Sequence, residues 1–518
     1  MTPLASLALA VATLGQDLPK GPSIADLVAR TPASATFVLA LNLEPSARQK
    51  KIHDLIAPFL AKLQDQVKAP MTMLGGSASK VLGGLFGPDF KGLVMFAETD
   101  GKNPLAGNPL AALGSGKLGV MLPLAADGMK LDADLTKEEF KSGGAPKYWR
   151  GARYHDLGPI KVYLAKDAVV LSPSEKTFGE VKGGAGFGSL PGMADARARY
   201  DADANLVVLI KPSDSNKPWS GGALTAYDEG ISLAVGPFSA GKLTGHVLSA
   251  DYATNLPKGA YVVLGLGAPG EWMPAQKGGS GGIPPELTGA LKGNVTGALY
   301  PSATMDGKRQ GLELLLEMDG ANGAEPASLL PKHLEELKKA LGAKLAMEPA
   351  TVPGADMAVA LTGGLSSLMH VGGNGQAMPK ELGAFLKDKT LAVAMVGKSA
   401  LVSTSTKLLA EAVCALKEHT GTLADDPVMG PILSEDAGST HAIVAGDISA
   451  LATGLETLFG KAAGPATAFL HMVSAPLTIR VSSTADGAMA KVFLPITADM
   501  LKLGLGSVVA TETKPKKN

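Results

Sequence analysis

The chain has 518 residues, and 48 Lys+Arg balance 48 Asp+Glu, so its formal net charge is zero. With no basic surplus to neutralise a phosphate backbone, a dedicated nucleic-acid binder is excluded. An apolar content of 46% excludes disorder throughout, and the length supports several domains without disulfide or metal staples.

Reading from the N-terminus, Leu4 to Leu14 is an apolar run with an A-x-A cleavage pattern at Ala10-Val11-Ala12. It fits the ~7–15 residues of a signal-peptide core and is too short to span a bilayer. Residues 1–18 therefore predict an export signal without a basic n-region, with a buried N-terminal helix as the alternative. No other run reaches the ~18 apolar residues of a membrane span. The expected location is secreted or periplasmic, and no transmembrane span is expected in the mature chain.

Phe37 to Leu43 follows Pro32 and reads as a buried strand, because it is a short β-rich apolar run behind a residue that cannot join an interior ladder. Ser46 to Val67 carries Ile52, Leu55, Ile56, Leu60, Leu63 and Val67 at helical spacing, and Ala327 to Leu341 repeats this with leucines. Asp-Gly pairs at 127–128, 306–307 and 486–487 follow or separate apolar runs and predict hairpins. Helices packed on one face of a mainly antiparallel sheet make the expected class α+β.

Three segments of the first half recur in the second. Thr31–Pro45 aligns on Leu256–Gly270 at an offset of 225, Ile160–Lys182 on Leu391–Val413 at 231, and Pro191–Ser213 on Pro427–Ser449 at 236. The second unit reads as strand, turn, strand and a helix capped near Ser172 or Ser403. A slow drift of offsets is what duplication with small insertions leaves. The predicted organisation is two homologous modules, residues 20–255 and 256–497, followed by a terminal helix and basic tail at 498–518.

Motifs for chemistry fail in their contexts. Gly236 to Leu243 has the G-x4-G-K spacing of a phosphate loop, but Leu243 stands where Ser or Thr would hold magnesium and a strand-like run follows. Gly278 to Gly282 matches a nucleophile elbow by letter only, lacking a strand before it and a helix after it. Eight scattered histidines show no metal-ligand spacing, and the acidic pairs Asp425-Asp426 and Glu335-Glu336 read as capping or solvating a helix rather than as a catalytic dyad. Asn294-Val295-Thr296 fits the glycosylation pattern. Cys414, the single cysteine, falls in an apolar-periodic helix and reads as a small buried hydrophobe. No catalytic residue, metal site or cofactor is expected.

Aromatic residues are 5% of the chain, and the dense group is KYWRGARY, residues 147–154. Here Lys147, Arg150 and Arg153 interleave with Tyr148, Trp149 and Tyr154. The segment reads either as a binding face for an anionic or flat ligand or as an edge strand with arginines on aromatic faces. It has no counterpart in the second module. Tyr148, Trp149, Arg150, Arg153 and Tyr154 are the candidate binding surface, with Trp149, Arg150, Arg153 and Tyr154 expected to line an exposed groove.

The signal-like start, Pro32 to Leu43 with the helix from Ser46, and the repeated VVLSPSEK and ALVSTSTK segments resemble large exported bacterial proteins classed as domains of unknown function and built from duplicated strand-helix modules. The resemblance implies an envelope or secreted location and no known enzymatic activity. The expected function is an exported non-catalytic binding or scaffolding protein of the cell envelope, with an envelope protein as partner. Mean hydropathy of +0.16 supports a carrier sheltering an apolar ligand or lipid as the alternative. A hydrolase whose site is assembled from distant residues is the second alternative.

Overall fold

The structure is a computed structural model and describes residues 23–55, 57, 90–98, 118–124, 128–141, 145, 147–149, 151–157, 160–165, 167–175, 177, 186–190, 193, 203–212, 219–238, 247–249, 251–269, 293–303, 310–319, 346–362, 390–435, 437–459, 467, 470–471, 473, 476–484 and 487–502. The signal-like residues 1–18, the predicted helix at 327–341, Arg150 and the basic tail lie outside them. So does most of the predicted helix from Ser46, of which 50–55 and 57 are helical. The chain forms two compact units, Met1–Asp228 and Glu229–Asn518.

The first unit opens with α1 (Ile24–Arg30), closed at its start by a capping box between Ser23 and Asp26. Its strands are β1 (Phe37–Asn42), β2 (Gly92–Ala97), β3 (Leu118–Pro123), β4 (Lys147–Trp149), β5 (Ala152–Asp156), β6 (Lys161–Leu164), β7 (Ala168–Ser172), β8 (Leu206–Ile210) and β9 (Ser220–Tyr227), with α2 (Gly128–Lys141) between β3 and β4. All pair antiparallel in the order β9-β8-β1-β2-β3-β7-β6-β5-β4. Leu93, Val120, Leu122, Val162, Val169 and Leu171 line one side of this sheet, and Leu135 of α2 joins their core.

The second unit contains β10 (Gly230–Phe238), β11 (Val262–Leu266), β12 (Val295–Ala303), β13 (Gln310–Met318), β14 (Ala346–Pro349), β15 (Met357–Thr362), β16 (Leu391–Val396), β17 (Ser399–Ser403), β18 (Thr440–Gly446), β19 (Leu477–Thr484) and β20 (Gly487–Leu494). Helices α3 (Thr406–Glu418), α4 (Met429–Ser434) and α5 (Ile448–Phe459) interrupt them. The pairing order is β10-β20-β19-β18-β11-β12-β13-β17-β16-β15-β14, again antiparallel. From β19 onward this is the order of the first unit with ten added to every strand number.

The match extends to single hydrogen bonds between aligned residues. Lys211 N donates to Thr36 O as Asp447 N donates to Tyr261 O, each at 2.8 Å. Asn42 N reaches Asn205 O at 2.7 Å, and Gly267 N reaches His441 O at 2.8 Å. At the end of β7, Ser174 N donates to the buried Ser172 Oγ at 3.2 Å; at the end of β17, Ser405 N donates to Ser403 Oγ at 3.1 Å. Pro32 and Pro257, aligned in sequence, each make an isolated antiparallel bridge, to Gly186 and Thr422.

The α+β class expected from the sequence is overturned. Among the described residues strand outweighs helix, 46% to 26%, and the fold is mainly antiparallel β rather than a sheet under a helical layer. The physical reason is visible in the second unit. Val263, Ala298, Leu315, Ala394 and Leu401 are buried under α3 and α4, but also under the non-α-helical residues Leu248, Tyr252, Ala253, Leu256 and Leu423. Turns and short segments cover much of the apolar face that a helical layer was expected to cover. The Asp127-Gly128 pair also differs from expectation: α2 starts at Gly128 where a hairpin was predicted.

Candidate functional site

The KYWRGARY segment forms a hairpin of β4 and β5, in which Lys147 faces Tyr154, Tyr148 faces Arg153, and Trp149 faces Ala152. Its turn includes Gly151 at φ +74°, a left-handed conformation that glycine adopts without a Cβ clash. Strand alternation sends Arg153 and His155 to one face and Tyr154 and Asp156 to the other. Tyr148 is 65% exposed and Tyr154 only 7%. The two tyrosines therefore do not share a surface, and Tyr154 belongs to the core rather than to an exposed groove. Trp149 is half-buried, Arg153 is partly exposed, and Arg150 lies outside the described residues.

The arginine-bearing face docks on α2. Arg153 Nη2 donates to Thr136 Oγ1 at 2.9 Å, its Nη1 lies 3.5 Å from Asp132 Oδ2, and His155 Nε2 lies 2.9 Å from Asp132 Oδ1. Thr136 Oγ1 in turn donates to the Asp132 carbonyl at 2.7 Å. On the opposite face Lys147 Nζ meets Asp156 Oδ2 at 2.5 Å. Asp132, Thr136 and His155 were not singled out from sequence. The signal that could have found them is Leu131 and Leu135, one helical turn apart, which place α2 and its polar flank. With Asp132 committed to both Arg153 and His155, this cluster fastens β5 to α2.

Other polar groups singled out from sequence also have structural work. Asp425 completes a capping box with Thr422, and Asp426 accepts from Val428 N and Met429 N at 2.9 and 3.0 Å. Asn294 Nδ2 donates to Ser249 Oγ at 2.6 Å, and Thr296 of the glycosylation pattern is buried in β12. Gly236 to Phe238 of the phosphate-loop match lie in a strand, not in a loop leading to a helix. His441 Nε2 bonds Ser483 Oγ between β18 and β19; the aligned Asn205 accepts from Ala226 N at 2.8 Å between β8 and β9. Cys414 differs from expectation, because α3 turns it to the solvent side.

Part of what the second unit leaves open is apolar. Across β10, β20, β19, β18 and β11, Leu233, Val492, Ile479, Val444 and Leu264 face one another in consecutive pairs. Leu233, Ile479 and Leu264 are exposed and the two valines half-buried. Val263, the neighbour of Leu264 on the opposite face, is completely buried. One side of these strands is thus core and the other is an open apolar row.

Among the described residues no group of three or more His, Cys, Asp or Glu is arranged to hold a metal, and no helix is long and apolar enough to cross a membrane. Comparison with protein-family models, with characterised proteins and with solved structures finds no match to the chain.

Proposed function

We propose that the protein is an exported, non-catalytic binding or scaffolding component of the cell envelope, built by tandem duplication of a ten-strand module over residues 20–255 and 256–497. The duplication is supported by the recurring strand order and the hydrogen bonds shared by aligned residues. The binding role rests on the row Leu233, Val492, Ile479, Val444 and Leu264, since a contiguous exposed apolar patch marks an interaction surface. Its partner is a protein surface of complementary apolar character. Export rests on the run Leu4 to Leu14.

The test is a photo-crosslinking residue at position 264 or 479 in the full chain, expressed with its N-terminal segment, together with N-terminal sequencing of the product. The scaffold reading expects a discrete protein adduct at these positions, none at exposed Tyr148, and a shortened N-terminus. The same apolar row also favours the carrier reading, for which native mass spectrometry would find a stoichiometric lipid. Absence of both adduct and lipid removes the apolar face as a contact surface, and robust turnover in broad hydrolase profiling overturns the non-catalytic assignment.

A further inference from the structure

The open row of the second unit is wider than five strands. Leu264 of β11 pairs with Gly297 of β12, and Gly297 with Leu316 of β13. Two residues to either side of each member of this seven-strand row, the positions that share its face are again Ala, Gly, Val, Leu, Ile or Met. Val235, Leu494 and Leu314 are exposed there, together with Leu233, Ile479 and Leu264. α5 covers the end of β13, where Gly454 comes against Leu312, and still leaves Leu314 43% exposed.

The usual rule for an antiparallel sheet, apolar towards the core and polar towards water, is inverted here. The charged residues of these seven strands are Glu313, Glu317, Arg480 and Lys491, and the register puts all four on the opposite, core-bearing side. Glu317 and Arg480 are buried there. Side chains that water would tolerate have gone to the covered side, and the open side keeps those that water disfavours.

We propose that the occupant of this face is a second copy of the chain, the two faces meeting in a two-fold, sheet-on-sheet contact; this rests on the binding role argued above for the row. At about 4.8 Å between strands and about 6.8 Å between same-face residues, the patch measures on the order of 700 Å², above the ~300–600 Å² of the largest patch on a typical monomer and near the ~800 Å² per partner of a stable complex. Its composition favours a copy over a different protein. Transient partners meet through faces little more apolar than ordinary surface, whereas homodimer contacts resemble a domain core cut in half. A face without charges is complementary to itself, and a formal net charge of zero gives two identical chains no long-range repulsion. Gly297 and Gly446 leave dips beside Leu264 and Leu477 for side chains of the facing copy. A lipid headgroup, by contrast, meets no charged or hydrogen-bonding side chain at these positions.

The experiment is sedimentation velocity on the full chain from about 1 to 50 µM, since the population of a homodimer follows protomer concentration. The expected species has twice the mass of the chain. Leu264→Glu and Ile479→Lys each place a charge within the face, where both copies would bury it unpaired, and should raise the dimer Kd by about 100-fold or more. Both side chains are exposed in the single chain, so circular dichroism should show an unchanged fold; Val428→Lys, a charge at an exposed residue just before α4, should leave the dimer intact. If one of the two variants fails to fold, the other serves. A wild type that stays monomeric throughout overturns the second copy, as does a dimer that survives both substitutions. The crosslinker at position 264 separates this outcome from the binding role itself. An adduct of twice the chain mass supports the second copy, an adduct with a different protein on a monomeric chain overturns it and keeps the binding role, and neither adduct nor dimer removes both.

Discussion

His155 Nε2 lies 2.9 Å from Asp132 Oδ1, so a carboxylate on α2 anchors a histidine that is buried on β5. Removing the carboxylate leaves a buried imidazole nitrogen without that partner and takes away the longer of the two contacts Arg153 makes with α2, leaving its bond to Thr136. Asp132→Ala should therefore cost about 2 kcal/mol, whereas Asp132→Asn, which can still bond His155, should cost roughly half as much. Urea unfolding of the two variants compares them directly.

The two tyrosines of the hairpin should respond in opposite ways. Tyr148→Ala removes a side chain that is mostly in water and should change stability by less than about 0.5 kcal/mol. Tyr154→Ala opens a cavity beside the sheet and should cost about 3 kcal/mol. Equal thermal shifts for the two would contradict the opposite placement of these rings.

Glu317 makes global stability depend on pH. Its carboxyl is raised from 4.5 to about 8 in the folded chain, so between these values the folded state binds the proton and the unfolded state does not. The stabilisation is complete below 4.5, is lost as pH rises towards 8, and changes no further above it. At about 1.4 kcal/mol per unit the loss is on the order of 5 kcal/mol at most. Denaturation midpoints between pH 5 and pH 9 should fall in the wild type and flatten in Glu317→Gln.

Ser405 caps α3 by accepting from Leu408 N at 3.2 Å. Ser405→Ala should cost about 1 kcal/mol and Ser405→Asp much less, because aspartate supplies the same acceptor. The helix buries Leu408, Leu409, Ala412 and Val413, so calorimetry should register the cap's loss as a lower Tm of the second unit.

Cys414 sits on the open side of α3, and its hydrogen bond to Glu418 pushes the thiol up. The native chain should react with a disulfide reagent to one equivalent, more slowly than a free cysteine at pH 7 and faster as pH rises. Glu418→Gln should speed the reaction at pH 7. A native protein that reacts only after unfolding would return Cys414 to the core.

Local features were legible where one residue type answers one backbone need. The apolar run at Phe37 and the one at Val262 became β1 and β11, Ser405 capped α3, and Asp426 accepts from Met429 N at the start of α4. Gly487 of the Asp-Gly pair at 486–487 opens β20, which pairs antiparallel with β19. Asp127-Gly128 misled because Gly128 opens a helix, whose period Leu131 and Leu135 carry. The candidate surface was legible only in part: alternation along β5 separates Arg153 from Tyr154, but the letters do not say which face meets α2.

By itself the sequence determined composition, the absence of a charge surplus, the apolar runs that become strands, and the aligned residues whose hydrogen bonds recur. These are local quantities, decided by side-chain chemistry and spacing of a few residues. Only the tertiary structure decided that Cys414 faces water, that Asn255 reaches Glu317, and that Leu264 is open while Val263 is buried. Those facts depend on which distant segments cover each side of a strand, and period-2 alternation distinguishes two faces without saying which of them will be covered.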